Sequence, residues 1–307
     1  MIDILIIGGG PAGLTAAIYA ARAGRTVTVC ERETLGGQIT QSHQVDNYPG
    51  LPRISGMELS DAFCAQAMDA GAEIAFASVE SLVRNSDGTF TAETDDEPIT
   101  AKAVILATGA RPRSMEIENE AALIGKGVSY CALCDGAFFK GKDAVVVGGG
   151  NTAFSDALFL AKLCSHVTIV HRRDSFRAEQ ASVELAKNTE NITLMTPYTP
   201  VALTEDGKLT GITVKNVNTG ETQTIPTSAV FVAFGRQPDC GLIADLADFD
   251  EQGYAASGEN CSTKTSGLFV AGDCRSKEVR QLTTATADGT IAATAACEYL
   301  ERHKKGL

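Results

Sequence analysis

The chain has 307 residues, of which 44% are hydrophobic and 21% charged, and it contains 30 glycines. This composition is typical of a globular protein with many tight turns, and the length suffices for about two domains of ordinary size. The formal net charge of −12 at pH 7 argues against general nucleic-acid binding, because neutralising phosphates requires clustered Lys and Arg.

The apolar stretches, such as Ile4–Ile7, Ala103–Ala107 and Ala229–Phe234, have the length of buried strands. They fall far short of the ~20 residues that cross a bilayer, so we expect no membrane segment. Met1 leads directly into an apolar strand pattern instead of an export signal, and the nine cysteines, odd in number, are typical of reduced thiols. A cytoplasmic protein is therefore expected.

The first residues predict a strand, a glycine turn and a helix. The apolar run Ile2–Ile7 precedes the turn Gly8–Gly13 and the helical segment Leu14–Ala23, and a second strand runs from Val27 to Glu31. Dinucleotide-binding folds use this order to hold a pyrophosphate at the helix N-terminus and a ribose on the acidic residue. The alternative is an ordinary strand-turn-helix unit without a ligand. The predicted binding residues are Gly8, Gly10, Pro11, Ala12, Gly13, Glu31 and Arg32.

A second copy of the pattern begins 140 positions later, since Gly148 corresponds to Gly8. Ala144–Val147 predicts the strand and Phe154–Leu163 the helix, and without a gap Glu31 aligns with His171. Internal duplication of this kind predicts two nucleotide sites in one chain. The predicted residues of the second turn are Gly148, Gly150, Asn151, Thr152 and Ala153.

The two copies differ in charge at the aligned position. The first has Glu31, whereas the second has His171, Arg172 and Arg173, with Arg177 nearby. A carboxylate repels a 2′-phosphate and guanidinium groups bind one, so the first copy suits FAD and the second NADPH. A solvated charge patch is the alternative for the basic cluster.

Cys131 and Cys134 are the only cysteines that stand close together, and they lie just before the second copy. A C-x-x-C pair can be a redox disulfide, half of a zinc site or two core thiols. No second C-x-x-C or H-x-x-x-H element accompanies it, which counts against zinc. The adjacent Asp135 and Gly136 indicate a turn at the edge of a site, which counts against two packed thiols.

Taken together, these residues resemble the low-molecular-weight thioredoxin reductases, and the resemblance covers nearly the whole chain. It is carried by Cys-Ala-Leu-Cys-Asp-Gly at 131–136, Gly-Gly-Gly-Asn-Thr-Ala at 148–153, His-Arg-Arg at 171–173, Gly-Gly-Gln at 36–38, Val-Asp-Asn-Tyr-Pro-Gly at 45–50, Ala-Thr-Gly-Ala at 107–110, Ala-Gly-Asp at 271–273 and Arg-Gln at 280–281. Two departures are Asn151-Thr152, where many relatives have Asp-Ser, and Leu282, where alanine is usual.

The resemblance implies an α/β fold of two Rossmann-like, three-layer dinucleotide-binding domains. The NADPH domain, residues 114–241, would be inserted into an FAD domain made of residues 1–113 and 242–307, and a helix would run from about Leu282 to Leu300. A homodimer is implied as well. The residues that the resemblance adds to the FAD site are Gly37, Gln38, Asn47, Thr108, Gly109, Gly272, Asp273, Arg280 and Gln281.

The implied activity is NADPH-dependent reduction of thioredoxin, or of a thioredoxin-like protein, through FAD and the Cys131–Cys134 disulfide. Cys134 would meet the flavin, Cys131 would attack the partner's disulfide, and Asp135 would protonate the leaving thiolate. Asp135 as a helix cap is the alternative. Because nicotinamide and disulfide must reach one flavin, we expect the inserted domain to rotate about connections near residues 113–116 and 238–242.

Other acceptors and roles remain open from the sequence. A peroxiredoxin module, a glutaredoxin-like protein or a small disulfide could take the electrons, and a ferredoxin-linked enzyme of the same fold is disfavoured by the basic cluster. A nucleotide-binding sensor without turnover is disfavoured by the adjacent cysteines. The other cysteines are expected to be packing or loop residues, with Cys274 the least settled, and His43, His166 and His303 to be surface or packing residues.

Overall fold

The structure, a computed structural model, describes residues 1–42 and 44–304, so His43 lies outside the described residues. The chain divides into two compact units. The discontinuous unit comprises Met1–Arg111 and Gln237–Leu307, and the inserted unit comprises Pro112–Arg236.

The strands, in chain order, are β1 (Ile2–Ile7), β2 (Val27–Cys30), β3 (Glu73–Ala75), β4 (Val79–Arg84), β5 (Phe90–Thr94), β6 (Ile99–Leu106), β7 (Ala110–Pro112), β8 (Val128–Ser129), β9 (Asp143–Val147), β10 (His166–Val170), β11 (Ile192–Met195), β12 (Tyr198–Glu205), β13 (Leu209–Asn216), β14 (Thr222–Pro226), β15 (Ala229–Val232), β16 (Arg236–Pro238) and β17 (Leu268–Val270). The helices are α1 (Pro11–Arg22), α2 (Gly56–Asp69), α3 (Ala132–Asp135), α4 (Asn151–Leu160), α5 (Gln180–Lys187) and α6 (Leu282–Lys304). Short 3₁₀ turns lie at Gly37–Gln41, Ala121–Leu123, Gly136–Phe139, Gly241–Ile243 and Gly272–Cys274.

The discontinuous unit is built on a mixed sheet with the order β3-β2-β1-β6-β5-β4. Strands β3, β2, β1 and β6 run parallel to one another. Strand β5 is antiparallel to β6, and β4 is antiparallel to β5. The far side of β6 is shared: its first half pairs with β5, at Ala101 with Phe90, and its second half pairs with β17, at Leu106 with Val270. The C-terminal part of the chain therefore completes a sheet that the N-terminal part begins.

Both faces of this sheet are covered, which explains why β1 is apolar at consecutive positions. Ile4 and Ile6 pack in the core formed with α1, α2 and α6. Leu5 and Ile7 point to the opposite face and pack in a second core with β4, β5 and the segment around Ile243. The result is a three-layer arrangement in which the parallel strands end together at one edge.

The inserted unit has a parallel sheet with the order β11-β10-β9-β15-β8 and a separate antiparallel sheet, β12-β13-β14. Val146 on one face of β9 packs with α4 and α5, and Val145 and Val147 on the other face pack with Ile212 and Val214 of β13. This unit is again three-layered. Two Rossmann-like α/β units are thus confirmed. The cofactor that each unit could bind depends on the residues beside its glycine turn.

The predicted element boundaries need correction at several ends. Helix α1 begins at Pro11 instead of Leu14 and ends at Arg22, and α4 spans Asn151–Leu160 instead of Phe154–Leu163. Each helix starts directly after the third glycine of its turn, because Gly10 and Gly150 are the N-cap residues. In α1 the first helical position is Pro11, a residue that fits this position. Strand β2 ends at Cys30, one residue before Glu31, and α6 continues past Leu300 to Lys304.

The chain crosses between the units at residues 111–112 and 236–237, and the strands at these crossings, β7 and β16, pair in a two-stranded sheet. Among the described residues, no helix combines the length and the apolar character needed to span a membrane.

Candidate active site

Cys131 and Cys134 form a disulfide at the start of α3 in the inserted unit. Cys131 is the N-cap residue of this short helix, and its Sγ accepts a hydrogen bond from the backbone N–H of Cys134 at 3.2 Å. Cys131 is half-buried and Cys134 is exposed. The local turn thus holds the two sulfurs together and leaves one of them open to solvent in this unit.

Asp135 follows the disulfide and is held by a residue that the sequence did not single out. Its Oδ2 accepts a hydrogen bond from Ser129 Oγ at 2.6 Å, and Ser129 Oγ accepts from the backbone N–H of Cys131 at 3.0 Å. Asp135 makes no side-chain capping hydrogen bond, so the cap alternative is not supported. Burial raises the pKa of Asp135, against a smaller lowering by the Ser129 hydroxyl, which favours its protonated form as a proton donor.

We expect Asp135→Asn to separate a chemical role from a structural one. Because the folded-state pKa of this carboxyl is raised, its charged form costs stability, so the variant should melt higher than the wild type near neutral pH. This advantage should shrink as the pH falls through the folded pKa toward the ordinary value of 3.8. Disulfide-reducing turnover should fall roughly hundredfold, at the lower end for loss of an acid–base group. Melting curves at pH 7.5 and pH 4, together with turnover, test this; full turnover would exclude Asp135 as the proton donor.

Tyr130, half-buried just before the disulfide, pairs with the buried Glu120. The Tyr130 hydroxyl donates to Glu120 Oε1 at 2.5 Å, and the same oxygen accepts from the backbone N–H of Met115 at 2.9 Å. Glu120 is 4% exposed, and burial together with this carboxylate raises the pKa of Tyr130. The contact ties the strand end that carries Cys131 to the segment that enters the inserted unit.

The zinc alternative receives no support. Within residues 1–42 and 44–304, no cluster of three or more His, Cys, Asp or Glu side chains could hold a metal ion. The remaining cysteines are free, and most of them are buried. Burial raises the pKa of Cys30 to about 11 and that of Cys261 to about 12, so these thiols stay protonated near neutral pH. Cys274 is fully buried, and its Sγ donates to Ala271 O at 3.2 Å.

The first glycine turn, which begins at Gly8, follows β1 at the edge where the parallel strands of the discontinuous unit end. Gly8 has φ +108°, and a Cβ there would lie 2.5 Å from Ala107 O. A Cβ on Gly13 would lie 1.9 Å from Gly8 O, so helix α1 packs directly on the turn. Around Gly10 the same construction meets nothing within 4 Å. The space in front of the α1 N-terminus is therefore open, as a pyrophosphate cradle requires.

Glu31 lies beside this opening, directly after β2. Its Oε2 accepts from the backbone N–H of Gly9 at 2.7 Å, and its Oε1 accepts from that of Glu33 at 2.8 Å. These bonds fix the carboxylate at the turn, where a ribose could donate to its remaining lone pairs. Arg32, which is also predicted to bind the cofactor, forms an ion pair with Asp239 at 2.5 Å.

The other residues predicted for this site come together at the same edge of the sheet. Gln38 Nε2 donates to Ala110 O at 2.5 Å, next to Gly109, and Asn47 Nδ2 donates to Gln281 Oε1 at 3.2 Å. Thr108 Oγ1 donates to Asp239 O at 2.5 Å, and the N–H of Gly36, one residue before Gly37, donates to Gly9 O at 2.7 Å. Arg280 Nε donates to Asp273 O at 3.5 Å, and its guanidinium lies 3.8 Å above the Tyr254 ring.

The second glycine turn repeats the first within the inserted unit. Gly148 has φ +155°, a Cβ there would lie 2.6 Å from Ala233 O, and Gly150 again faces open space. The loop after β10 closes onto this turn, because the N–H of Arg177 donates to Gly149 O at 2.9 Å. Asn151 Oδ1 accepts from the N–H of Glu179 at 2.8 Å, which anchors the same loop to the start of α4.

His171 occupies the place that Glu31 has in the first copy. A Cβ on Gly149 would lie 2.4 Å from the His171 ring, just as one on Gly9 would lie 3.0 Å from Glu31 Cβ. Burial, reinforced by the three nearby arginines, lowers the pKa of His171, so the ring is neutral at physiological pH. It lies 5.5 Å from the Phe176 ring.

Arg172, Arg173 and Arg177 are exposed around the closed loop, where their charges are available to an anion. The neutral, half-buried His171 adds no charge of its own. These three arginines form a basic rim beside the glycine turn, and such a rim suits a ribose that carries a phosphate. The two glycine turns of the chain thus differ in the charge beside them, as the sequence predicts.

Helix α3 and the second glycine turn belong to one packed structure. Ala132 of α3 is buried in the same core as Ala153 and Phe154 of α4. A Cβ on Gly136, directly after α3, would lie 2.9 Å from a Leu160 side chain. The disulfide and the basic rim are therefore carried by the same compact unit.

These features define a dinucleotide-binding protein that carries a cysteine disulfide on the unit with its second glycine turn. The sequence profile of the family described as pyridine nucleotide-disulphide oxidoreductase matches residues 2–289. The chain belongs to this family.

Relatives are similar over nearly the full chain. The thioredoxin reductase of Bacillus subtilis is 39% identical over 306 residues, covering 99% of this chain and 96% of the relative. The bifunctional thioredoxin reductase/thioredoxin of Mycobacterium leprae is 41% identical over 303 residues, covering 98% of this chain; the chain spans 66% of that relative's length. The crystal structure of the Streptococcus pyogenes thioredoxin reductase superposes with a TM-score of 0.94 at 36% identity, covering 98% of each chain.

Proposed function

We propose that this chain is a thioredoxin-disulfide reductase that takes electrons from NADPH through FAD and the Cys131–Cys134 disulfide. The observation that carries the proposal is the Cys131–Cys134 disulfide, which belongs to the same unit as the glycine turn with the basic rim. Membership of the family and the similarity to proteins named thioredoxin reductase support it. The partner would be thioredoxin or a thioredoxin-like protein, and the enzyme would be a cytoplasmic homodimer.

The discontinuous unit would hold FAD. The open space at Gly10, the fixed carboxylate of Glu31 and the turn at Gly272–Asp273 fit a pyrophosphate, a ribose and a polyhydroxylated chain respectively. Helix α6 begins at Leu282, directly after Arg280 and Gln281, and its N-terminus would favour negative charge on a bound ring. When bound, the flavin supplies the change from two-electron hydride chemistry to thiol chemistry.

The inserted unit would hold NADPH on its second turn. Gly148 allows the tight turn and Gly150 leaves room for the pyrophosphate, while the exposed guanidinium groups of Arg172, Arg173 and Arg177 would bind the 2′-phosphate. The neutral ring of His171 would pack beside the ribose without repelling the arginines. Thr152 and Ala153 would complete the turn at the start of α4.

The Cys131–Cys134 disulfide would be reduced by two electrons, and the resulting dithiol would pass these electrons to the partner by thiol–disulfide exchange. The Cys131 thiolate attacks a sulfur of the partner's disulfide, and the partner's leaving thiolate takes a proton from Asp135. The Cys134 thiolate then attacks Cys131, which restores the Cys131–Cys134 disulfide and releases the second partner thiol. The net change is one NADPH and one proton consumed for two partner thiols formed.

The inserted unit would rotate during turnover. Nicotinamide and disulfide are both carried by this unit, and both need the same flavin, so one orientation cannot serve the two half-reactions. The chain passes between the units at two crossings that lie next to each other in the β7–β16 pair, and rotation would take place about these two short connections. Comparing domain orientation in the oxidised and reduced protein tests this; one fixed orientation throughout turnover would contradict it.

The function is tested with purified protein, NADPH, thioredoxin and a disulfide dye. We expect a yellow protein that contains bound FAD and whose NADPH oxidation requires added thioredoxin. Replacing thioredoxin by a small disulfide or by a glutaredoxin-like protein distinguishes the acceptors. A colourless protein that cannot be reconstituted with FAD would contradict the proposal, and an intact flavin spectrum without thiol production would favour a sensor.

A further inference from the structure

A buried ion cluster lies beneath the Gly272–Asp273 turn of the discontinuous unit. Its centre is Asp288, in the second turn of α6, which is 4% exposed. Asp288 Oδ2 accepts from Gly272 N at 3.0 Å, Arg275 Nε at 2.9 Å and Lys277 Nζ at 2.9 Å. A buried carboxylate is tolerated only when such donors compensate it, and here two of the three donors are cations.

The turn that Asp288 holds is packed tightly against α1. Gly272 has φ +78°, and a Cβ there would lie 2.8 Å from Ala12 Cβ. A Cβ on Gly289, next to Asp288, would lie 2.2 Å from Ala12 O. The turn, the start of α1 and the second turn of α6 therefore have little freedom to shift relative to one another.

Lys277 stands between two carboxylates. Its side chain is 9% exposed, and its Nζ lies 2.9 Å from Asp288 Oδ2 but 3.8 Å from Asp273 Oδ1. Thr284 Oγ1, at 3.4 Å, is a further partner of the ammonium. The shorter distance shows that Asp288 holds the ammonium and that Asp273 is the next carboxylate in reach.

We propose that Asp288 is a positioning residue for FAD binding, because it fixes the Gly272–Asp273 turn and keeps the Lys277 ammonium from pairing closely with Asp273. The inference rests on the proposed binding of FAD in this unit, where Asp273 would accept from the ribityl hydroxyls. If the charge of Asp288 is removed, Lys277 turns to Asp273, and the new ion pair competes with those hydroxyls.

Asp288→Asn tests the charge with little change of shape, since an amide oxygen can still accept from Gly272. We expect the dissociation constant of FAD, measured by fluorescence quenching on deflavinated full-length protein, to rise roughly tenfold or more. Lys277→Met should bind FAD within about threefold of the wild type, because Asp288 keeps Arg275 and Gly272. The double variant Asp288→Asn/Lys277→Met should bind FAD more tightly than Asp288→Asn alone.

Glu298→Gln is the matched control on the same helix, because Glu298 forms an exposed pair with Arg302. Its affinity for FAD should equal that of the wild type. Thermal unfolding of the apoproteins and the visible spectrum of the bound flavin are recorded in parallel. A purely structural role for Asp288 would lower apoprotein stability without any recovery of FAD affinity in the double variant.

The outcomes are distinguishable from failure of the proposed function. Wild-type protein that does not bind FAD refutes the function, whereas equal FAD affinity of wild type and Asp288→Asn refutes only the positioning role. A double variant that binds no more tightly than Asp288→Asn also refutes it. If Asp288→Asn does not fold, Lys277→Met decides, since a tenfold loss of FAD affinity there would make Lys277 a direct contributor to binding.

Discussion

Replacing Cys134 by serine is expected to reduce thioredoxin-dependent NADPH oxidation by more than about a thousandfold, to background. The variant keeps the Cys131 thiol, but serine cannot attack a mixed disulfide, so the partner would remain attached or unreduced. Bleaching of the flavin by NADPH should persist, because that half-reaction does not involve sulfur. Turnover with thioredoxin and anaerobic flavin bleaching are the two measurements.

Cys64→Ser is the control for the loss of a thiol as such. Cys64 lies on α2, is half-buried and is free, so we expect wild-type turnover. Retention of thioredoxin reduction in Cys134→Ser would show that electrons leave by another route. Loss of flavin bleaching in the same variant would show that the substitution disturbs more than the disulfide.

Replacing Arg172 by alanine is expected to lower kcat/KM for NADPH by roughly ten- to hundredfold, the loss expected for a charge-assisted hydrogen bond to a phosphate. The value for NADH should change by less than about threefold, because NADH has no 2′-phosphate to lose. Steady-state rates with both coenzymes measure the effect. The double variant Arg172→Ala/Arg173→Ala should bring the kcat/KM values for NADPH and NADH closer still.

Lys187→Ala is the matched control, since Lys187 is an exposed cation of α5 in the same unit. It should leave the ratio of NADPH to NADH rates unchanged, because Lys187 lies outside the loop after β10 and its exposed charge is screened by salt. An equal fall of both rates in Arg172→Ala would indicate damage to the fold instead of a lost phosphate contact. An unchanged NADPH rate would return the basic rim to the status of a solvated charge patch.

The fold was predictable where backbone geometry dictates the residue type. Gly8 and Gly148 occupy left-handed backbone against a neighbouring carbonyl, so the two turns leave a readable mark in the sequence. The alignment of the two copies was predictable for the same reason, and Glu31 and His171 do lie beside the equivalent glycines Gly9 and Gly149. Helix starts were misplaced by three residues, because the last part of each turn motif already has helical geometry.

Contacts between distant segments were not predictable. Glu120 supports Tyr130, and Asp288 supports the Gly272 turn, but neither carboxylate belongs to a motif or a periodic pattern. One signal for Asp288 was available: it is an acidic residue within the small and apolar stretch of α6 that must pack against α1. The antiparallel sheet β12-β13-β14 was missed because polar residues on its open face obscure the apolar alternation.

The shared far side of β6 has a consequence for how the protein is made. Strand β17 and helix α6 are synthesised after the inserted unit, so the sheet of the discontinuous unit stays incomplete until these two elements have been translated. The inserted unit is continuous in sequence and has emerged by then, so it can fold first during translation. A chain that ends between Arg236 and β17 would therefore contain the whole inserted unit but lack the last strand and the last helix of the discontinuous unit.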